Sequence, residues 1–182
     1  MKKVLLGLLA VVLVAIAGVL VAAALQPDSF RIARSLAIAA PPDRIYPLIA
    51  DFHRWGGWSP YEELDPAMKR EIGGPPSGVG ATYAWAGDSQ AGAGTMRITE
   101  AAPPSRVVID LAFTEPFEAN NTALFTLAPE GDGTLVTWAM EGKSSFPFKV
   151  MGLFFDADQM IGQDFETGLA NLKREAEGAP AG

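Results

Sequence analysis

Asp156-Ala157-Asp158-Gln159-Met160-Ile161-Gly162-Gln163-Asp164-Phe165-Glu166-Thr167-Gly168-Leu169-Ala170-Asn171-Leu172-Lys173-Arg174-Glu175-Ala176 is the stretch that decides the fold. Its apolar positions Ile161, Phe165, Leu169, Leu172 and Ala176 fall at i, i+4, i+8, i+11 and i+15. That spacing is one stripe of a helix of about four turns. Asp156, Asp158 and Asp164 come early and Lys173-Arg174 late, the order that suits the helix dipole. A helix with one apolar stripe needs an apolar surface to lie on.

The sequence upstream supplies that surface. Six strand-like runs, near 67–72, 79–86, 92–101, 105–114, 119–128 and 133–142, are separated by Gly, Pro and Asp. Alternation sorts their faces. Tyr83 and Trp85 share one side, as do Met96 and Ile98, while Val107, Ile109, Leu111 and Phe113 form a row opposite Asp110 and Thr114. Ala123, Phe125 and Leu127 match Val136, Trp138 and Met140. One face is apolar and aromatic and the other polar, the pattern of an antiparallel sheet covered on one side. Further upstream, Phe30 to Ala39 reads as a first strand, and Pro41-Pro42-Asp43 opens a helix with the stripe Ile45, Leu48, Ile49. Pro47 shortens or bends that helix. The expected fold is α+β: a curved antiparallel sheet of about seven strands gripping a long C-terminal helix, with a cavity where helix and concave face cannot pack flush.

Several segments resemble a known family. They are Ile38-Ala39-Ala40-Pro41-Pro42, Asp51-Phe52-His53-Arg54-Trp55-Gly56-Gly57-Trp58-Ser59-Pro60, Asp65-Pro66-Ala67-Met68-Lys69, and Gly78-Val79-Gly80-Ala81-Thr82-Tyr83-Ala84-Trp85. Gly133-Thr134-Leu135-Val136-Thr137-Trp138 and Asp164-Phe165-Glu166-Thr167-Gly168-Leu169-Ala170-Asn171-Leu172-Lys173 complete the set. In that order they resemble the START-like or Bet v 1-like (SRPBCC) superfamily, and more narrowly its bacterial polyketide cyclase/dehydrase and lipid-transport group. The resemblance covers about residues 30–178. It implies the helix-grip fold and, commonly, an apolar ligand cavity. It implies no shared reaction, because function resides in sites rather than folds.

The N-terminus is a separate unit. After Met1-Lys2-Lys3, Val4 to Leu25 is apolar apart from Gly7 and Gly18. Those 22 residues reach about 33 Å as a helix, enough for a hydrocarbon core of about 30 Å. Residues 1–25 therefore read as a single-pass anchor and 26–180 as the ligand-binding domain. Lys2 and Lys3 favour a cytoplasmic N-terminus with the domain on the extracytoplasmic (periplasmic) side, although Arg31 and Arg34 weaken the contrast. Ala22-Ala23-Ala24 also offers a cleavage site, but the run exceeds the usual signal core of about 7–15 residues.

Charge excludes other classes. Residues 26–182 carry all 21 acidic side chains against 12 Lys and Arg, a formal charge of −9, which argues against tracking nucleic-acid phosphates or anionic headgroups. With no Cys and one His, disulfides and thiolate zinc sites are out of reach. No metal or organic cofactor is implied.

The candidate cavity lining is Trp58, Tyr83, Trp85, Met96, Ile109, Leu111, Phe125, Trp138, Met140 and Phe165, because aromatic and thioether groups suit apolar partners. Each is equally at home in an ordinary core. Trp55 and Trp58 either cap a cavity mouth or pack the first helix on the sheet. His53 needs a nearby carboxylate, Asp51 or Glu62, before it could act in catalysis, and otherwise is a turn residue. Glu100, Asp110 and Glu118 are the candidates for an acid/base pair, yet alternation points Asp110 outward. Gly92-Ala93-Gly94 reads as a hairpin or bulge, and no nucleophile elbow, Walker loop or Rossmann fingerprint is present. Phe146-Pro147-Phe148 and Phe154-Phe155 flank Met151 and Leu153 in a patch that either feeds the long helix or dips into the membrane.

The leading functional expectation is a membrane-anchored, non-catalytic binder or carrier of a hydrophobic lipid-like or polyketide-like small molecule. A cyclase/dehydrase-type enzyme using the same cavity and a membrane-tethered protein-interaction module are the alternatives. Oligomeric state is left open.

Overall fold

The structure, a computed structural model, describes residues 2–178. Met1 and residues 179–182, at the ends of the two units expected from sequence, lie outside the described residues. The chain runs α1 (Lys2–Ala24), β1 (Ser29–Ile38), α2 (Pro42–Ala50), two 3-10 turns (Phe52–Gly57 and Pro60–Glu63), β2 (Lys69–Gly73), β3 (Thr82–Ala86), β4 (Ala93–Ala102), β5 (Arg106–Glu115), β6 (Ala119–Glu130), β7 (Gly133–Lys143), α3 (Phe146–Met151) and α4 (Ala157–Gly178). Every strand pair is antiparallel, in the order β1-β7-β6-β5-β4-β3-β2. This is the expected helix-grip fold. Register shifts at Ala93/Gly94 and Ile98/Glu100 add the local twist that curves a sheet.

The register gives the sheet two distinct ends. Ser29 pairs with Lys143 at the end next to α1, and Glu130 pairs with Gly133 at the far end. α3 packs against α1 at the near end, and Ala23 is fully buried. Leu6–Ala24 is long and apolar enough to cross a membrane, a test that a signal sequence also passes.

The core lies between the apolar sheet face and α2 and α4. Alternation places Ile109, Phe125 and Trp138 inward, and all three are buried with Phe165, Leu169 and Leu172 of α4. The two indoles of the aromatic turn hold α2 in place. Trp55 Nε1 donates to Ile49 O and Trp58 Nε1 to Leu48 O, both at 3.0 Å. These are carbonyls of the last helical turn, which have no partner within the helix.

Both edge strands carry an inward-pointing arginine, a device that blocks edge-to-edge pairing. On β1, Arg34 alternates with Ile32 and Leu36 and reaches α4. Its Nε donates to Glu166 (2.9 Å), and its terminal nitrogens bond the Asp158 carboxylate and carbonyl. Gly162 makes room for it, since a Cβ there would sit 2.0 Å from the guanidinium. On β2, Arg70 Nε donates to Glu62 at 2.6 Å. Helix and turn are thereby pinned to opposite edges of the sheet.

These pins carry a pH dependence. Hydrogen bonding to Arg34 holds the Asp158 carboxyl below its usual 3.8. Lys173, with the Ala39 N–H, holds Glu177 below its usual 4.5. A carboxyl depressed in the folded state stabilises the fold above its unfolded value, and that stability disappears as pH falls through the folded value. Arg34→Met is therefore expected to lower the denaturation midpoint at pH 7, with the gap from wild type narrowing toward pH 3 as the unfolded chain's Asp158 takes up its proton ahead of the Arg34-bonded one. Urea titrations at the two pH values check this; a gap that stays constant would mean that Arg34 acts by packing alone.

Candidate functional site

Eight of the ten expected lining residues, Trp58, Tyr83, Met96, Ile109, Phe125, Trp138, Met140 and Phe165, are buried, and Trp85 and Leu111 pack half-covered against them. The structure brings the rings together tightly. Trp138 stacks on Phe165 with centroids 4.2 Å apart and planes 10° from parallel. Phe125 stacks on Trp138 at 5.0 Å, and Trp58 meets Trp138 edge-on at 5.5 Å. At these positions the rings touch one another between helix and sheet. α4 comes close enough because residue 168 is glycine: a Cβ there would stand 2.6 Å from the Trp138 ring.

Two clefts open beside this packed set, the second of them along Tyr83. One cleft, of about 480 Å³, sits at the anchor end between the start of β1, the end of β7, α3 and the loop into α4. Phe30, Phe148, Leu153, Phe154 and Phe155 supply its apolar wall. Phe30 and Phe148 form a tilted pair at 5.3 Å. Ser145 caps α3, accepting from Phe148 N. Lys149 also borders this cleft, with its side chain only 8% exposed and its Nζ donating to Asp28. That hydrogen bond and the ammonium charge hold the Asp28 carboxyl below its usual range. A buried ammonium without a partner would be strongly unfavourable, so Asp28 makes this position tenable.

A second cleft, of about 390 Å³, lies between the aromatic turn and β2–β3, and is lined by Phe52, His53, Gly56, Glu62, Glu63, Arg70, Ile72 and Tyr83. Here Tyr83 Oη donates to Glu62 at 2.6 Å. Burial, then the Glu62 carboxylate, pushes the Tyr83 hydroxyl well above its ordinary value, so it stays protonated at neutral pH. Glu62 accepts from both Tyr83 and Arg70. Beside the core, burial raises the Tyr61 hydroxyl and Asp164 adds to the effect, while Asp164 itself is raised by burial.

The remaining sequence candidates separate. His53 Nδ1 lies 2.8 Å from Asp51 Oδ1, but the same oxygen accepts His53 N and caps the 3-10 turn, and the imidazole is exposed. Glu100, Asp110 and Glu118 are exposed and spread along the sheet. Glu100 pairs with Arg106 at the far end, whereas Glu118 lies in the β5–β6 turn at the anchor end. Gly92 closes the β3–β4 hairpin with a positive φ of 62°. Among the described residues, no group of three His, Cys, Asp or Glu side chains is placed to hold a metal.

Curvature, the gripped helix and residue order define a helix-grip protein. The chain matches the family described as polyketide cyclase / dehydrase and lipid transport over residues 29–177, and it belongs to that family. Solved structures agree on the fold. Protein CV1439 from Chromobacterium violaceum is 19% identical, with a TM-score of 0.57 over 84% of this chain and 99% of that one. The Aha1 dimer from Colwellia psychrerythraea is 18% identical, with a TM-score of 0.59 over 84% and 99%. Ara h 8.0201 is 12% identical, with a TM-score of 0.52 over 82% and 96%. No curated protein matches the sequence.

Proposed function

We propose that the chain is a membrane-anchored binder or carrier of a hydrophobic, lipid-like or polyketide-like small molecule. Residues 1–25 tether it, and residues 26–180 form the binding domain on the extracytoplasmic side. The observation that carries the reading is the 480 Å³ cleft with five apolar wall residues directly beside α1. Its volume falls in the range of about 300–1,000 Å³ typical of small-molecule sites. Family membership supports an apolar ligand without naming it. The stacked core then serves as a rigid floor rather than as the binding space.

The test is native mass spectrometry of the full chain released from detergent micelles after incubation with a lipid extract. A discrete added mass that disappears on organic extraction is expected. A clean unliganded mass across all extracts would overturn the reading. Catalysis of the cyclase or dehydrase type is a second reading, supported by the ionisable group set Glu62, Arg70, Tyr83 and His53 in the other cleft. That reading requires turnover to fall in Glu62→Gln while occupancy of the anchor-end cleft is unchanged.

A further inference from the structure

The exposed phenylalanines among the described residues are Phe117, Phe146, Phe154 and Phe155, and all four lie at the anchor end of the sheet. Phe146 opens α3, and Phe154 and Phe155 follow it in the loop to α4. Phe117 is placed there by register, because its hairpin joins Phe113 to Ala119 and Asn121 pairs with Gly142 near the end of β7. Two to three sheet spacings of about 4.8 Å put that hairpin roughly 10–14 Å to the side of β1. The apolar tips are thus spread across one end of the domain rather than gathered in a single contact. Met151, half exposed on α3, adds to them. By contrast, the far β6–β7 hairpin is Glu130-Gly131-Asp132.

Two further observations say what covers this end. Only residues 25–28 separate α1 from β1, so the sheet can stand off from the end of α1 by no more than about 18 Å. Between Ser144 and Phe155 the one charged residue is Lys149, which is buried and paired with Asp28. In a chain as acidic as this one, the 144–155 segment, uncharged on its exposed side and beside an apolar helix, matches the interfacial layer of a bilayer, where one-sided apolar elements settle without crossing. Phe117 reaches the same level between the exposed Glu115 and Glu118, whose carboxylates stay among the headgroups.

We infer that the anchor end is a bilayer-docking face. Phe146, Phe154 and Phe155 on one side and Phe117 on the other enter the acyl boundary, and the mouth of the 480 Å³ cleft is seated on the leaflet. The inference rests on the reading of α1 as a membrane anchor. It makes the leaflet itself the source from which an apolar ligand enters.

The absence of cysteine permits single-cysteine labelling of the full chain. Leu13→Cys, Phe117→Cys, Phe154→Cys and Asp132→Cys are each labelled with a polarity-sensitive dye and reconstituted into vesicles of phosphatidylcholine and phosphatidylglycerol. Lipids carrying a nitroxide near the top of the acyl chain and, separately, near its end serve as shallow and deep quenchers, the deep one for position 13. Expected are blue-shifted, quenched emission at positions 117 and 154, quenching at 13, and neither effect at 132. If 13 is quenched but either 117 or 154 is no more affected than 132, the docking face is overturned and the anchor stands. If 13 is unquenched, the anchor reading fails and takes the docking face with it.

Discussion

Trp138→Ala is expected to remove about 3–5 kcal/mol of folding stability, the range for truncating a large buried aromatic. Trp138 is 3% exposed and meets Phe165, Phe125, Trp58 and Tyr61 at centroid distances of 4.2, 5.0, 5.5 and 6.1 Å. Its neighbours have little freedom to collapse into the void. Phe165 and Gly168 belong to a helix pinned through Arg34, and Trp58 is held by its bond to Leu48 O. A cost near the upper end follows, because cavity terms grow when a site cannot relax. Against a typical total of about 5–15 kcal/mol, this loss is large. Urea denaturation of the full chain in micelles, followed by far-UV circular dichroism, measures it; a loss under about 1 kcal/mol would show that the aromatic stack is dispensable. The same variant separates two ligand locations. At a temperature where the fold persists, ligand occupancy is expected to be unchanged if the ligand sits in the anchor-end cleft. Loss of occupancy would place the ligand against the Trp138 ring.

The fold was legible because its two periodicities are clean. The 161–176 stripe and the inward rows on β5, β6 and β7 each repeat often enough for the period to be unambiguous, and the structure places those residues in one core. The contents of the grip were less legible. Alternation says that Trp138 and Phe125 face inward, yet nothing local says whether inward rings leave space or touch. That is decided by Gly168, whose missing side chain lets α4 approach the indole. Arg34 did carry a readable signal, since it shares parity with Ile32 and Leu36 and so had to point into the fold. The anchor-end cleft had no signature of its own. Its wall combines Phe30 with Phe148, Leu153, Phe154 and Phe155, residues more than 100 positions apart, and only the β1–β7 pairing joins them.

Leu153→Trp is expected to weaken binding of an apolar probe about tenfold while leaving stability nearly unchanged. Leu153 is half-buried and borders the 480 Å³ cleft, so an indole there takes volume from the ligand rather than from the core. If roughly 60 Å² of ligand surface is left uncovered, about 25 cal/mol per Å² gives about 1.5 kcal/mol, or close to a tenfold change in Kd. A partly exposed site away from the packed core typically shifts stability by only about 0.5 kcal/mol. The control is Val79→Trp, in the loop between β2 and β3 and 57% exposed, which adds the same indole away from the anchor end. Titration of a fluorescent fatty-acyl probe against both variants in micelles reads the difference. Equal affinity for Leu153→Trp and wild type would remove the cleft as the binding space, whatever the membrane measurements show. Weakening by Leu153→Trp alone, with Trp138→Ala neutral, would assign the ligand to the wall that α3 and the loop to α4 build against β1. The grip itself would then be a scaffold that positions this wall beside the membrane helix.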